Sequence, residues 1–189
     1  MLIQISIKSQ TNIDTLRFDK TLQEFDQNNS MIVIGESHGV AGTYELQNQI
    51  IKTFVKRGHS TIILEAGISE VTLLNEYLVT GNEEILEYTR ASNKQYKEFI
   101  KNIKAMNSGI KFKGVDFERG VCLQYLMGKW FKDIKNLELK YIKNHLLQIN
   151  NETSPKRLKE ILKDSKSLYE NCKETLFQEL GQEKCEIIE

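Results

Sequence analysis

The sequence contains little cysteine and proline, and it carries no excess of either charge. Of its 189 residues, three are cysteines and one is proline. Three widely spaced cysteines are too few for a disulfide framework or a zinc knuckle, so we interpret them as buried or surface thiols in a reducing, cytoplasmic setting. The 26 basic residues are balanced by 26 acidic residues, which argues against a nucleic-acid binder held mainly by phosphate contacts.

Long apolar runs are also missing. The apolar runs span only a few residues each, whereas a helix that crosses a membrane needs about 20. The N-terminal residues lack the charged start and the apolar core of a signal peptide. With 40% hydrophobic and 28% charged residues, the composition is typical of a globular domain, and we expect no membrane association.

The first 120 residues alternate between short β-rich runs and helical patterns. The runs that suit strands are residues 3–7, 31–34, 61–64 and 110–115. Amphipathic patterns separate them, and the first of these ends at Gly58. This order predicts right-handed βαβ units in an α/β fold, with a mostly parallel sheet of about four strands flanked by helices.

From residue 121 to residue 189 the sequence predicts only helices. The last and longest pattern lies between a predicted N-cap at Ser154 and a predicted C-cap at Gly181. We expect residues 121–189 to form a helical extension next to the α/β core of residues 1–120. The apolar side chains of the extension repeat every three or four residues over a greater length than the small sheet can cover. We therefore expect this chain to form a homo-oligomer through its helical tail.

Three of the predicted strands are followed by polar or ionisable residues. In chain order these residues are Glu36, Ser37, His38, Glu65, Asp116 and Glu118. Sites in open α/β sheets form beyond the carboxyl ends of parallel strands, so we expect Glu36, His38, Glu65, Asp116 and Glu118 to converge on one rim. Neighbouring carboxylates repel one another, so one should hold a proton near neutral pH, and a nearby imidazole then suits general acid/base catalysis. The same oxygen and nitrogen atoms suit a divalent cation.

The segment Gly35–Gly39 also fits G-x-S-x-G, the nucleophile elbow of α/β-hydrolases, in which Ser37 would be the nucleophile. The sequence before it is too short for the strands that precede an elbow, and it contains no oxyanion segment. Only His59 and His145 follow it, and neither is predicted near the carboxyl ends of the strands. We therefore favour His38 over Ser37 as the catalytic group.

Three stretches and one helical residue together resemble a known family. They are Ile34–Gly39, Ile62–Glu65, Lys113–Glu118 and Glu45. Ile34–Gly39 matches a G-E-x-H-G-like turn, and Ile62–Glu65 matches a strand that ends in Glu. Lys113–Glu118 matches a later strand end of the form G-hydrophobic-D. In this pattern residues 32–120 resemble the N-terminal half of the erythromycin esterase-like proteins. That group belongs to a wider superfamily with haem-uptake ChaN-like proteins and Tiki-type proteases.

The resemblance implies hydrolysis of an ester, lactone or amide in a small-molecule substrate. His38 would be the general base that activates water, and Glu36 and Glu65 would position it. The residues that support the site or bind substrate would be Asp116, Glu118 and Ser37. A divalent metal is left open, because the Tiki-type members are described as metal-dependent and the macrolide esterases as metal-independent. The alternatives are a non-catalytic metal-, haem- or small-ligand-binding protein on the same scaffold, and an interaction protein that works through its helical tail.

Overall fold

Helices dominate the part of the chain that the computed structural model describes, which is residues 4–6, 33–35, 42–106, 109–116, 118, 120–149 and 154–188. The strands are β1 (Gln4–Ser6), β2 (Val33–Gly35), β3 (Thr61–Leu64) and β4 (Lys111–Gly114). The α-helices are α1 (Gly42–Val55), α2 (Ile68–Thr80), α3 (Lys94–Ala105), α4 (Gly120–Trp130), α5 (Leu137–Ile149), α6 (Pro155–Leu180) and α7 (Gln182–Ile188). Two 3₁₀ helices, Glu83–Tyr88 and Arg90–Ser92, follow α2.

The predicted α/β fold with one sheet of about four strands is wrong. Within the described residues the strands are only three or four residues long, and they pair as two separate two-stranded sheets, β1 with β2 and β3 with β4. Both pairings are parallel, with Ile5 opposite Ile34 and Ile62 opposite Phe112. Local patterns place each short strand, but the choice of a strand's neighbour depends on contacts distant in sequence, and the sequence patterns do not contain that information.

The chain divides into two compact units that interleave along the sequence. One unit contains residues 1–60 and 93–110, and the other contains residues 61–92 and 111–189. The second unit thus includes β3 and β4 together with all the helices after residue 120. The predicted boundary between a core of residues 1–120 and an extension of residues 121–189 stays a prediction.

In the first unit, α1 packs against α3 through a stripe of apolar and aromatic side chains. Leu46 and Ile50, four residues apart in α1, are buried, as the amphipathic pattern predicts. The ring of Tyr44 lies 5.5 Å from that of Phe99, measured between centroids. α3 begins after Asn93, whose side-chain oxygen accepts a hydrogen bond from the Gln95 amide at 2.9 Å and so caps the helix.

In the second unit, α2 lies against β4 and α4, and α5 packs along α6. The predicted caps of α6 are confirmed: the Ser154 hydroxyl accepts from the Arg157 amide, and the helix ends at Gly181. α6 buries one stripe, formed by Ile161, Ser165, Tyr169, Cys172, Leu176 and Leu180. This burial covers most of the apolar stripe within the chain, so the predicted homo-oligomer through that stripe stays a prediction.

The three cysteines are buried thiols, and none forms a disulfide. Burial raises the pKa of Cys172, and the neighbouring Glu138 carboxylate raises it further. Burial also raises the pKa of Cys185. Both thiols therefore stay protonated at neutral pH and are poor nucleophiles.

None of the helices that the structure describes is both long and apolar enough to cross a membrane.

A buried ion pair joins the first turn of α2 to the second 3₁₀ helix. One carboxylate oxygen of Glu70, Oε1, accepts hydrogen bonds from the Arg90 backbone amide at 2.9 Å and from Arg90 Nε at 3.1 Å. The Glu70 side chain is fully buried, whereas that of Arg90 is 25% exposed. The carboxylate also lies near the N-terminal end of α2, where the helix dipole favours negative charge.

Replacing Arg90 by Met should lower the free energy of unfolding by about 3 kcal/mol, because the buried carboxylate loses its guanidinium. This is the lower end of the usual range, since Arg90 is partly exposed. The double variant Glu70→Gln/Arg90→Met should regain most of this stability, because the neutral amide needs no counter-charge and its oxygen can still accept the backbone N–H. Urea unfolding, monitored by circular dichroism, measures the free energy of unfolding of the single and the double variant. Equal stabilities of the single and double variants would contradict this account of the pair.

Candidate functional site

Three predicted site residues, Glu36, Ser37 and His38, lie outside the described residues, so their roles stay predictions. The structure describes the backbone of β2, which ends at Gly35 and runs parallel to β1. The motif therefore follows the carboxyl end of a parallel strand, which is where sites form in parallel sheets.

Glu65 and Asp116 follow two strands that end side by side. β3 and β4 are paired in register along their whole length. Backbone pairing continues past the strand ends: the Val115 amide donates to the Leu64 carbonyl at 3.2 Å, and the Asp116 amide donates to the Ala66 carbonyl at 3.1 Å. Glu65 and Asp116 are both exposed. The structure thus brings these two carboxylates to the same edge of one sheet.

The two faces of the β3–β4 sheet have different surroundings. On one face Phe112 is buried, and its backbone amide and carbonyl bond to the side chain of Asn75 in α2 at 2.8 and 2.9 Å. Successive strand residues point to opposite faces, so Ile63 and its register partner Lys113 share the other face. Ile63 is 56% exposed, and Val115 beside the strand end is 71% exposed. This face is therefore open, and an exposed apolar residue precedes each carboxylate in the sequence, Ile63 before Glu65 and Val115 before Asp116.

Gly114 allows the end of β4 to approach the turn that follows β3. A Cβ atom at this position would collide with the Ala66 carbonyl oxygen and would lie 3.0 Å from the Gly67 carbonyl oxygen. Both of these neighbours are backbone atoms, which cannot rotate away. Only glycine therefore permits the approach that sets Asp116 beside the turn containing Glu65.

The carboxylate of Glu118 is engaged at the start of α2. It accepts two hydrogen bonds from the Ser69 amide, at 3.0 and 3.2 Å, and one from the Ser69 hydroxyl. The residue before α2, Gly67, has no side chain with which to cap the helix. Glu118 therefore acts as a long-range cap for α2. Its predicted supporting role at the site stays a prediction.

Another ionisable cluster in the second unit has a structural role. The rings of Tyr88 and Tyr125 stack with centroids 3.8 Å apart, and Lys129 forms an ion pair with Glu76. Burial raises the pKa of Tyr125. Its phenol therefore stays protonated at neutral pH and packs as an aromatic side chain.

Ser69 and the steric role of Gly114 are not predicted from the sequence. A glycine next to a strand end is a recognised sign of close backbone approach, so the signal for Gly114 is present in the sequence. Ser69 has no such local signal, because its partner Glu118 is 49 residues away. Pairing at this distance depends on the fold and cannot be inferred from spacing.

Within the described ranges, no group of three or more His, Cys, Asp or Glu residues could hold a metal ion. Glu65 and Asp116 alone supply two carboxylates, fewer ligands than a protein metal site normally provides.

Comparison with protein-family models, with curated proteins and with solved structures gives no match for this chain. The resemblance to the erythromycin esterase-like group therefore stays a prediction.

Replacing Gly114 by Ala should lower the free energy of unfolding by about 1–3 kcal/mol, the usual cost of inserting a methyl group into filled space. The matched control is Gly128→Ala in α4, where a Cβ would meet nothing within 4 Å. That change should raise stability by about 0.5–1 kcal/mol, because alanine favours the helix. Thermal and urea unfolding of the two variants measure the difference in sign. A stabilising effect at both positions would refute the close approach at Gly114.

Replacing Glu118 by Ala should lower the free energy of unfolding by about 0.5–2 kcal/mol, the range for loss of a helix cap. Glu118→Gln should cost less, because the amide oxygen can still accept from Ser69. Urea unfolding of both variants tests the order. If Glu118→Ala is as stable as the unaltered chain, the carboxylate does not cap α2.

Proposed function

We propose that this chain is a hydrolase of the erythromycin esterase-like group. His38 takes a proton from water, whose oxygen attacks the carbonyl carbon of an ester, lactone or amide. The same proton then passes to the leaving oxygen or nitrogen as its bond to carbon breaks. By the family resemblance, Glu36 and Glu65 have positioning roles, and Asp116 has a supporting or substrate-binding role.

The observation that carries this proposal is the placement of Glu65 and Asp116. Both follow paired parallel strands, both are exposed, and the pairing continues through the backbone bonds after each strand. Carboxylates at such an edge can accept hydrogen bonds from water or from a substrate without the cost of burying an unpaired charge. This arrangement supports a site at the strand ends, which is where the sequence motifs predict one.

A ligand-binding protein without turnover is the second candidate. The observation in its favour is the exposure of two apolar side chains, Ile63 and Val115, which precede Glu65 and Asp116 in the sequence. Ligand sites are usually lined by apolar side chains with a few polar groups, and this edge has both. The ligand would be a small molecule, a metal complex or a haem.

The setting that suits either candidate is the cytoplasm. The three thiols are free, which fits a reducing compartment. The balance of 26 basic and 26 acidic residues favours a small-molecule ligand over a nucleic acid.

Replacing His38 by Ala should nearly abolish turnover, with a loss of about 10²–10⁴-fold, because removal of a general base has this cost. Ser37→Ala should retain most of the activity, since the sequence predicts neither of the downstream histidines, His59 and His145, in a position to take the Ser37 proton. Glu65→Gln should reduce the rate by an intermediate factor. Initial rates on a panel of aryl esters, lactones and anilides measure these effects.

Unfolding curves for each variant provide the control, since a loss of activity counts only where the variant stays folded. Covalent labelling of Ser37 by a fluorophosphonate, with loss of activity in Ser37→Ala, would replace this mechanism by that of a serine hydrolase. If the unaltered chain hydrolyses no member of the panel but binds haem or a divalent cation, the ligand-binding candidate is favoured.

A further inference from the structure

The outward surface of α6 carries a stripe of charges that changes sign along the helix. We define the charged stripe as Lys156, Lys159, Lys163, Lys166, Glu170 and Glu174. All six side chains are exposed. Their spacings of three and four residues place them on one face of α6, different from the buried face that contains Ile161 and Leu176.

Within a single copy of the chain, several members of the charged stripe repel like charges on the same face of α6. Lys159 and Lys163 are four residues apart, as are Glu170 and Glu174, and like charges at this spacing repel each other. Lys166 precedes Glu170 by four residues, which is the less favourable order for an ion pair in a helix. No member of the stripe forms an ion pair with another residue in the part of the chain that the structure describes.

The ends of α6 also oppose the helix dipole. The first turn contains no acidic residue but includes Lys156 and Arg157, and the last turn contains no basic residue but includes Glu179. The dipole favours the opposite arrangement, with acids at the start and bases at the end. Two independent features of α6 therefore leave charges that a neighbour of complementary pattern would stabilise.

We propose that the charged stripe is a self-complementary docking surface for a second copy of this chain. When two α6 helices lie antiparallel about a two-fold axis near residues 166 and 167, Lys163 faces Glu170 of the second copy, and Lys159 faces its Glu174. The two-fold axis repeats both pairs, which gives four ion pairs. Each basic N-terminal half then also lies beside the C-terminal half of the other helix, where the dipole is negative.

The sign change within the stripe favours a second copy over a polyanion. An extended polyanion that bound the four lysines would meet Glu170 and Glu174 further along the same face and would be repelled there. A second copy uses both halves of the stripe. This surface differs from the buried apolar stripe of α6, and its use does not depend on the proposed hydrolase.

Sedimentation equilibrium of the full chain tests the proposal. At an ionic strength of about 0.01 M, where the Debye length is about 30 Å, we expect a monomer–dimer equilibrium. The dissociation constant should rise at least about tenfold at an ionic strength of about 1 M, where the range falls to about 3 Å. A chain that stays monomeric at low salt up to high micromolar concentration would overturn the proposal.

Charge reversal identifies the surface. Lys159→Glu/Lys163→Glu makes the stripe mainly acidic, and Glu170→Lys/Glu174→Lys makes it wholly basic, so each variant alone should be monomeric. An equimolar mixture of the two should form a heterodimer. The matched control is Lys132→Glu/Lys135→Glu, two exposed lysines between α4 and α5, which should dimerise like the unaltered chain. Dimers of either stripe variant alone, or no heterodimer from the folded mixture, would show that this surface does not mediate association.

Discussion

The close approach of Gly114 to the carbonyl groups of Ala66 and Gly67 is the constraint on which the candidate site depends. Because no side chain stands between the end of β4 and the turn after β3, the Asp116 amide can reach the Ala66 carbonyl. α2 begins directly after Gly67. The contact of Gly114 with these carbonyl groups therefore positions the sheet edge near Glu65 and Asp116. It also positions the turn between β3 and α2, and with it the start of α2.

Carboxylates then hold the start of α2 in place from two directions. Glu118 binds Ser69 from the segment after β4, and Glu70 reaches from α2 itself to Arg90. Both carboxylates lie at the positive end of the helix dipole. They differ in accessibility, since Glu118 is exposed and Glu70 is fully buried. In this region Glu70 and Glu118 are therefore carboxylates that stabilise the fold. Glu65 and Asp116 are carboxylates that remain accessible to a ligand.

The helices could be predicted from the sequence because their signals are local. The cap at Ser154, the end at Gly181 and the apolar repeat of α6 all lie within the helix or next to it, and the structure confirms them. The single four-stranded sheet could not be predicted correctly, since strands of three or four residues carry too little pattern to identify their neighbours. For the site, the order of strands and acidic residues predicts Glu36, His38, Glu65 and Asp116 on one rim of a single sheet; Glu65 and Asp116 do follow neighbouring strands, but β2, which precedes Glu36 and His38, pairs with β1 in a separate sheet. The contact between Glu118 and Ser69 spans 49 residues and has no local signal.

The measurement that tests the central constraint most directly is amide hydrogen exchange in the unaltered chain and in Gly114→Ala. The Val115 and Asp116 amides donate to carbonyls at the end of β3, whereas the Phe112 amide, within β4, donates to the Asn75 side chain of α2. If Gly114 holds the strand ends together, Gly114→Ala should selectively lose protection at Val115 and Asp116, while Phe112 keeps most of its protection. Unchanged protection at all three amides, or an equal loss at all three, would contradict the account.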